Sequence, residues 1–122
     1  MKKILIIEDE PSLQKTLGVA LRAEGYDVKQ ASDGEMGVLL TQKEKPDLIL
    51  LDLVLPKKNG FEVLKEVKGD DSTRDIPVIV LTNLETVEDV GTALELGATT
   101  YLVKAHYEIS DVMLKIKKVL SQ

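Results

Sequence analysis

The stretch LILLDLVLP, Leu48 to Pro56, sets one acid, Asp52, into an otherwise apolar run. A carboxylate buried there is costly unless it is paired or holds a metal, whereas an acid at the solvent end of a strand costs little. The apolar residues before Asp52 are continuous rather than alternating, which is the pattern of a strand covered on both faces. The fold then depends on what flanks this strand, and the role of Asp52 on what meets its end.

Upstream, KILII (Lys3–Ile7) is a second continuous apolar run. Asp9, Glu10 and Pro11 break it, and Pro11 suits the first turn of a helix. Leu13, Leu17, Ala20 and Leu21 share one face of that helix, and Gly25 stops it. YDVKQAS (Tyr26–Ser32) alternates, as an edge strand does. Ser32 or Asp33 caps a helix running to about Lys43, in which Gly34 and Gly37 are poor helix formers. Downstream, NGFEVLKEVKG (Asn59–Gly69) gives a third helix with Phe61, Leu64 and Val67 on one stripe. DDSTRDIP is a polar loop, and VIVLT (Val78–Thr82) is a fourth strand. A helix from about Thr86 to Leu96 carries Val87, Val90 and Leu94 and ends at Gly97. TYLV (Thr100–Val103) is a fifth strand, and a last helix repeats Ile109, Val112, Met113, Ile116, Val119 and Leu120.

Strand and helix alternate five times, a (βα)5 pattern. Strands that are apolar on both faces need helices on both sides, so the fold class is α/β: a doubly wound, parallel, five-stranded sheet in a three-layer α/β/α arrangement. Residues 1–122 form a single domain without linker or repeat. Such a sheet places its site outside the carboxyl ends of its strands.

Composition narrows the chemistry. The chain has 122 residues, no Cys and one His, which excludes disulfides, thiolate metal sites and cysteine nucleophiles and disfavours a histidine metal site. A formal charge of -5 argues against a direct nucleic-acid partner, which wants a basic face. The apolar start is too short for a signal peptide or membrane span. No membrane partner is expected, and a reducing, cytoplasmic setting fits.

At the carboxyl ends of the strands stand Glu8 and Asp9, Asp52, Thr82 and Lys104. In a parallel sheet all of them meet at one edge. Three carboxylates together repel one another. A hard divalent cation relieves this, and an all-oxygen ligand set favours Mg²⁺ over zinc. Lys104 adds a positive point charge and Thr82 a hydrogen-bond donor. Such a site either binds a phosphate through metal and lysine, or lets a carboxylate attack phosphorus. Taken singly, each residue also has a bland role as a cap, a solvated turn or a strand end.

ILIIEDE, LDLVLPKKNGFEVL, VIVLTN and YLVKA follow one another in an order and at a spacing that resemble the receiver domain of two-component response regulators, the chemotaxis receiver among them. The likeness covers essentially the whole chain. It implies a flavodoxin-like fold with strand order 2-1-3-4-5. It implies that Asp52 accepts a phosphoryl group from a sensor histidine kinase or a histidine phosphotransfer protein. Mg²⁺ would be held by Asp9, Asp52, the Val54 carbonyl and Glu8, the last directly or through water. Thr82 and Lys104 would meet the phosphoryl group, and Tyr101 would be the aromatic switch that moves with Thr82.

The pattern departs from the family at three places. Ala105 follows Lys104, where the family has a proline after a cis peptide. A cis bond to Ala would cost about 2.5–4 kcal/mol, and a trans loop could reposition the lysine. Asn83 stands where the family prefers Ala or Gly, and either crowds the phosphoryl pocket or donates a hydrogen bond. Lys58 stands where Met is common. By the same resemblance, Val54 and Leu84 occupy positions that tune water access. Both are apolar, which gives a slow-decaying phosphoaspartate unless they merely pack.

The leading reading is a signalling module that phosphorylates and dephosphorylates itself, is not a turnover enzyme, and switches a surface for a downstream protein target. The alternatives are a degenerate receiver that binds proteins independently of phosphorylation, and a small aspartyl-phosphate phosphatase, for which a cap domain is missing. The molecule is expected as a monomer or a weak homodimer through its fourth helix, fifth strand and fifth helix. Nothing after Leu120 resembles a DNA-binding motif, and a stand-alone regulator and a piece of a longer protein both fit.

Overall fold

A computed structural model describes residues 1–121. The strands are β1 (Lys3–Ile7), β2 (Asp27–Ala31), β3 (Leu48–Leu51), β4 (Val78–Thr82) and β5 (Thr100–Val103). The helices are α1 (Pro11–Ala23), α2 (Gly34–Glu44), α3 (Gly60–Gly69), α4 (Val87–Glu95) and α5 (Ile109–Leu120). All neighbouring strands pair in parallel, in the order β2-β1-β3-β4-β5. The sheet and its flanking helices form the doubly wound three-layer architecture read from the sequence.

The period-two geometry of a strand sorts each apolar run onto two faces. Leu5, Ile7, Ile49, Leu51, Val78 and Val80 pack against Val38 of α2, Val63, Leu64 and Val67 of α3, and Ala93 of α4. Ile4, Ile6, Leu48, Leu50, Ile79, Leu81 and Leu102 pack against Leu17 and Leu21 of α1 and Val112 and Ile116 of α5. Continuous hydrophobicity in the strands is therefore the requirement of two cores on one sheet.

Local signals fix the helix ends. Pro11 opens α1, and Gly25, at φ 92°, follows its end. Asp33 is the residue that caps α2, accepting from the Met36 amide at 2.8 Å. Asn59 caps α3 by accepting from the Glu62 amide, and Thr86 caps α4 by accepting from the Asp89 amide. The capping box of α5 pairs Glu108 with Asp111.

The fourth helix differs from its sequence pattern. Val87 is 89% exposed and Leu94 48% exposed, while Ala93 is the one fully buried residue of α4. Val87 and Leu94 stand out toward solvent, Val90 is half-buried, and a small residue, Ala93, makes the close contact.

The turn that carries the chain from β3 into α3 depends on Gly60. Its amide donates to the Leu53 carbonyl at 2.9 Å, and a methyl group there would collide with the Asp52 carbonyl oxygen and the Leu53 Cα. Gly60→Ala should therefore lower the stability read from urea unfolding by about 1–3 kcal/mol through forced backbone displacement. An unchanged midpoint would show that this turn tolerates the displacement.

Candidate functional site

Strand order reverses at β1, with β2 on one side and β3 on the other, so the loops after β1 and β3 diverge and leave a crevice between them. The crevice is a cleft of about 290 Å³ lined by Glu8, Asp9, Glu10, Asp52, Val54, Asn83 and Lys104. Backbone pairing fixes its floor. The Glu8 amide donates to the Ala31 carbonyl at 3.0 Å, and the Asp52 amide donates to the Ile7 carbonyl at 3.0 Å. The two acids thus extend adjacent strands by one residue each.

Asp52 is a buried acid, 5% exposed, and Glu8 is 3% exposed. Lys104, on the turn after β5, places its Nζ 2.8 Å from Glu8 Oε1 and 2.9 Å from Asp52 Oδ2. The second oxygen of each acid is also used: Glu8 Oε2 accepts from the Glu10 amide at 3.1 Å and Asp52 Oδ1 from the Val54 amide at 3.2 Å. The Asp52 carboxylate is therefore paired, and a second acid shares its partner. Among the described residues no buried side-chain nitrogen or oxygen lacks a partner.

Burial pushes the Glu8 carboxyl above the usual carboxylate range, with its hydrogen bond from Lys104 pulling the other way. Burial pulls the Lys104 ammonium down, but hydrogen bonds to Glu8 and Asp52 outweigh it, and its pKa stands above the ordinary lysine value. Burial likewise raises the Tyr101 phenol, helped by the charges of Asp89 and Asp52.

Asp9 is exposed beside this buried pair, and one carboxylate oxygen from each of Glu8, Asp9 and Asp52 lies within 4.8 Å of the others. Three hard oxygen donors without Cys or His fit Mg²⁺. Val54 lines the same cleft, so the expected ligand set shares one wall.

Thr82 and Tyr101 stand apart from the cleft lining. Thr82 is fully buried at the end of β4, and its Oγ1 accepts from the Leu84 amide at 3.4 Å. The half-buried Tyr101 hydroxyl donates to the Leu84 carbonyl at 2.7 Å. The backbone of one residue therefore links the two expected switch residues. The peptide between Lys104 and Ala105 is trans, since no cis bond is present among the described residues, and Lys104 still reaches both acids from a short 3-10 turn, Lys104–His106. His106 faces Glu85 at 3.8 Å, both exposed.

Sequence reasoning passed over two supports. Gln14 of α1 donates from Nε2 to the Glu8 carbonyl at 3.0 Å and to the Ala31 carbonyl at 3.3 Å, tying the helix to the ends of β1 and β2. Glu10 supplies the amide that holds Glu8. Gln14 is a polar residue one position after the apolar Leu13, and that placement was the only signal available.

The chain matches the family model for the response regulator receiver domain over residues 4–117. It is 39% identical over 120 residues to the DNA-binding dual master transcriptional regulator RpaA of Synechocystis, covering 98% of this chain and 49% of that protein. The chain spans about half the length of the curated relatives it matches. Its fold superposes with a TM-score of 0.93 on a CheY-like response regulator receiver domain protein from Methanospirillum hungatei, at 28% identity and covering 99% of this chain and 94% of that one. It superposes with a TM-score of 0.90 on the receiver domain of the sensor histidine kinase PA1611 of Pseudomonas aeruginosa, at 27% identity with 99% and 98% covered; that structure has a magnesium ion coordinated in its active-site cleft.

The raised Glu8 pKa gives a prediction for the metal-free protein. A carboxyl whose folded pKa is raised favours folding when neutral and costs stability once ionised. That cost is absent below the ordinary carboxylate pKa and is complete above the folded pKa. Glu8→Gln should therefore raise the urea midpoint near pH 7, and the gain should vanish in acid. A gain independent of pH would contradict the assignment.

Proposed function

The chain belongs to the response regulator receiver domain family, and from that premise we propose that Asp52 is its phosphoacceptor, taking the phosphoryl group from the phosphohistidine of a sensor kinase or phosphotransfer protein. The observation that carries this is the Lys104 ammonium shared by Glu8 and Asp52 at 2.8 and 2.9 Å, with Asp9 exposed at the same cleft. An Asp52 oxygen forms the new bond to phosphorus, and the bond from phosphorus to the imidazole nitrogen breaks, its electron pair staying on the ring. Receiver domains catalyse their own phosphorylation and dephosphorylation only.

Glu8, Asp9, Asp52 and the Val54 carbonyl would hold Mg²⁺. When bound, the ion supplies positive charge to the phosphoryl oxygens. Lys104 carries the second positive charge and has no chemistry to do beyond holding it. Asp52 gains a group with about -1.5 to -2 charges and strong acceptor oxygens, which draws Lys104 and the Thr82 hydroxyl toward it. Turning Thr82 breaks its bond with the Leu84 amide. The loop that Tyr101 holds by the Leu84 carbonyl is then free to repack, a shift between two packings of one fold.

The surface that reports this switch is α4, β5 and α5, where Val87 and Leu94 already stand exposed. It is the face for a downstream protein and for any weak homodimer. The same reading carries a cytoplasmic location and no direct nucleic-acid contact by this domain. No helix among the described residues is long and apolar enough to cross a membrane. Val54 is 56% exposed in the cleft, whereas Leu84 packs against the sheet core, so Val54 is the apolar residue that meets attacking water. It cannot orient that water, which gives a long-lived phosphoaspartate.

Intact mass after incubation with Mg²⁺ and acetyl phosphate tests this reading. The expected outcome is a labile gain of one phosphoryl group, absent in Asp52→Asn and slow to decay. A gain that persists in Asp52→Asn would move the acceptor elsewhere. No gain from either acetyl phosphate or a phosphorylated histidine kinase would leave a phosphorylation-independent binding module.

A further inference from the structure

Asn83 follows Thr82, the last residue of β4, and shares the cleft wall with Asp52 and Lys104. Its side chain is exposed. The hydrogen bonds that hold the following loop run through Leu84 and Thr86, and the Asn83 amide is left out of them.

The charge balance of the cleft gives that amide a use. Glu8, Asp9, Glu10 and Asp52 face a single ammonium, Lys104, whose nearest contacts are already the carboxylates of Glu8 and Asp52. An incoming phosphoryl group brings more negative charge to a wall that is mostly acid. Asn83 is the one neutral side chain on that wall that carries N–H donors. It offers them without a countercharge that would compete for Lys104 and, among the described residues, with no internal bond to break first.

We infer that Asn83 is a further catalytic residue of the transfer, its Nδ2–H donating to a non-bridging oxygen of the phosphoryl group as that group reaches Asp52. The inference rests on the phosphoacceptor reading of Asp52. With acetyl phosphate as donor, an Asp52 oxygen bonds to phosphorus while the bond from phosphorus to the bridging oxygen breaks, and acetate leaves with that electron pair. The non-bridging oxygens reach the Asn83 amide only once the phosphoryl group is at Asp52, so the bond lowers the barrier measured from free acetyl phosphate.

The test is the rate of Asp52 phosphorylation by acetyl phosphate at saturating Mg²⁺, followed by intact mass in the parent chain, Asn83→Ala, Asn83→Ser and Asn83→Asp. One hydrogen bond to a charged group corresponds to about a tenfold effect or more. Asn83→Ala should be about tenfold slower, Asn83→Asp slower still, and Asn83→Ser, which keeps a donor, between Ala and the parent. Mg²⁺ affinity and the urea midpoint of Asn83→Ala should match the parent, which separates a contact with the phosphoryl group from a structural role. An Asn83→Ala rate equal to or above that of the parent would overturn the inference and show that the side chain only crowds the cleft, while leaving the Asp52 reading intact. A parent chain that takes no phosphoryl group would overturn both.

Discussion

Two carboxylates buried side by side would not survive without the Lys104 ammonium between them. Adjacent parallel strands β1 and β3 each end in an acid, and their register leaves Glu8 and Asp52 little room to separate. Two like charges about 4 Å apart repel by roughly 4 kcal/mol at an effective dielectric near 20. Lys104 meets both acids, and it reaches them from β5, on the other side of β4. The cleft is thus closed electrostatically by a residue distant in sequence from either acid. Removing the shared ammonium would strand two buried acids, which is far more costly than the net value of the pairs, whereas neutralising Glu8 leaves Lys104 paired with Asp52.

That arrangement explains why the site responds to a charge. A phosphoryl group on Asp52 competes for the same ammonium, and the only elements that must follow are those near the β4 and β5 ends. These are also the loosely held ones. The helix α4 gives the core one fully buried residue, Ala93, while the other helices each bury at least two. Elements with few buried apolar contacts are the ones that open or shift at low cost. The Leu84 peptide, bonded to Thr82 on one side and Tyr101 on the other, joins the stiff sheet to that loose helix.

Much of this was legible in the chain. Continuous apolar runs in KILII, LILL and VIVLT require helices on both faces, and parallel pairing then gathers Glu8, Asp9, Asp52 and Lys104 at one edge. The glycines that weaken α2 as a sequence pattern proved to be contacts: a methyl on Gly34 would collide with the Lys58 carbonyl, and one on Gly37 would press on Ile7. What stayed hidden depends on side-chain direction rather than residue type. Periodicity cannot tell that Val87 and Leu94 face outward, nor that Gln14 turns in to hold the Glu8 carbonyl. Nor does the order of residues reveal that Thr82 lies below the cleft while Asn83 lines it. The step from Lys104 to Ala105 could be settled only by tracing the turn, which runs trans and keeps both ion pairs.

The most direct measurement is the urea stability of Lys104→Met in the absence of divalent ions, near neutral pH. If Lys104 is what lets Glu8 and Asp52 lie buried together, the variant should lose about 3–5 kcal/mol, the cost of stranding buried charge, and Mg²⁺ should restore part of it. An unfolding midpoint equal to that of the parent, unmoved by Mg²⁺, would contradict the account.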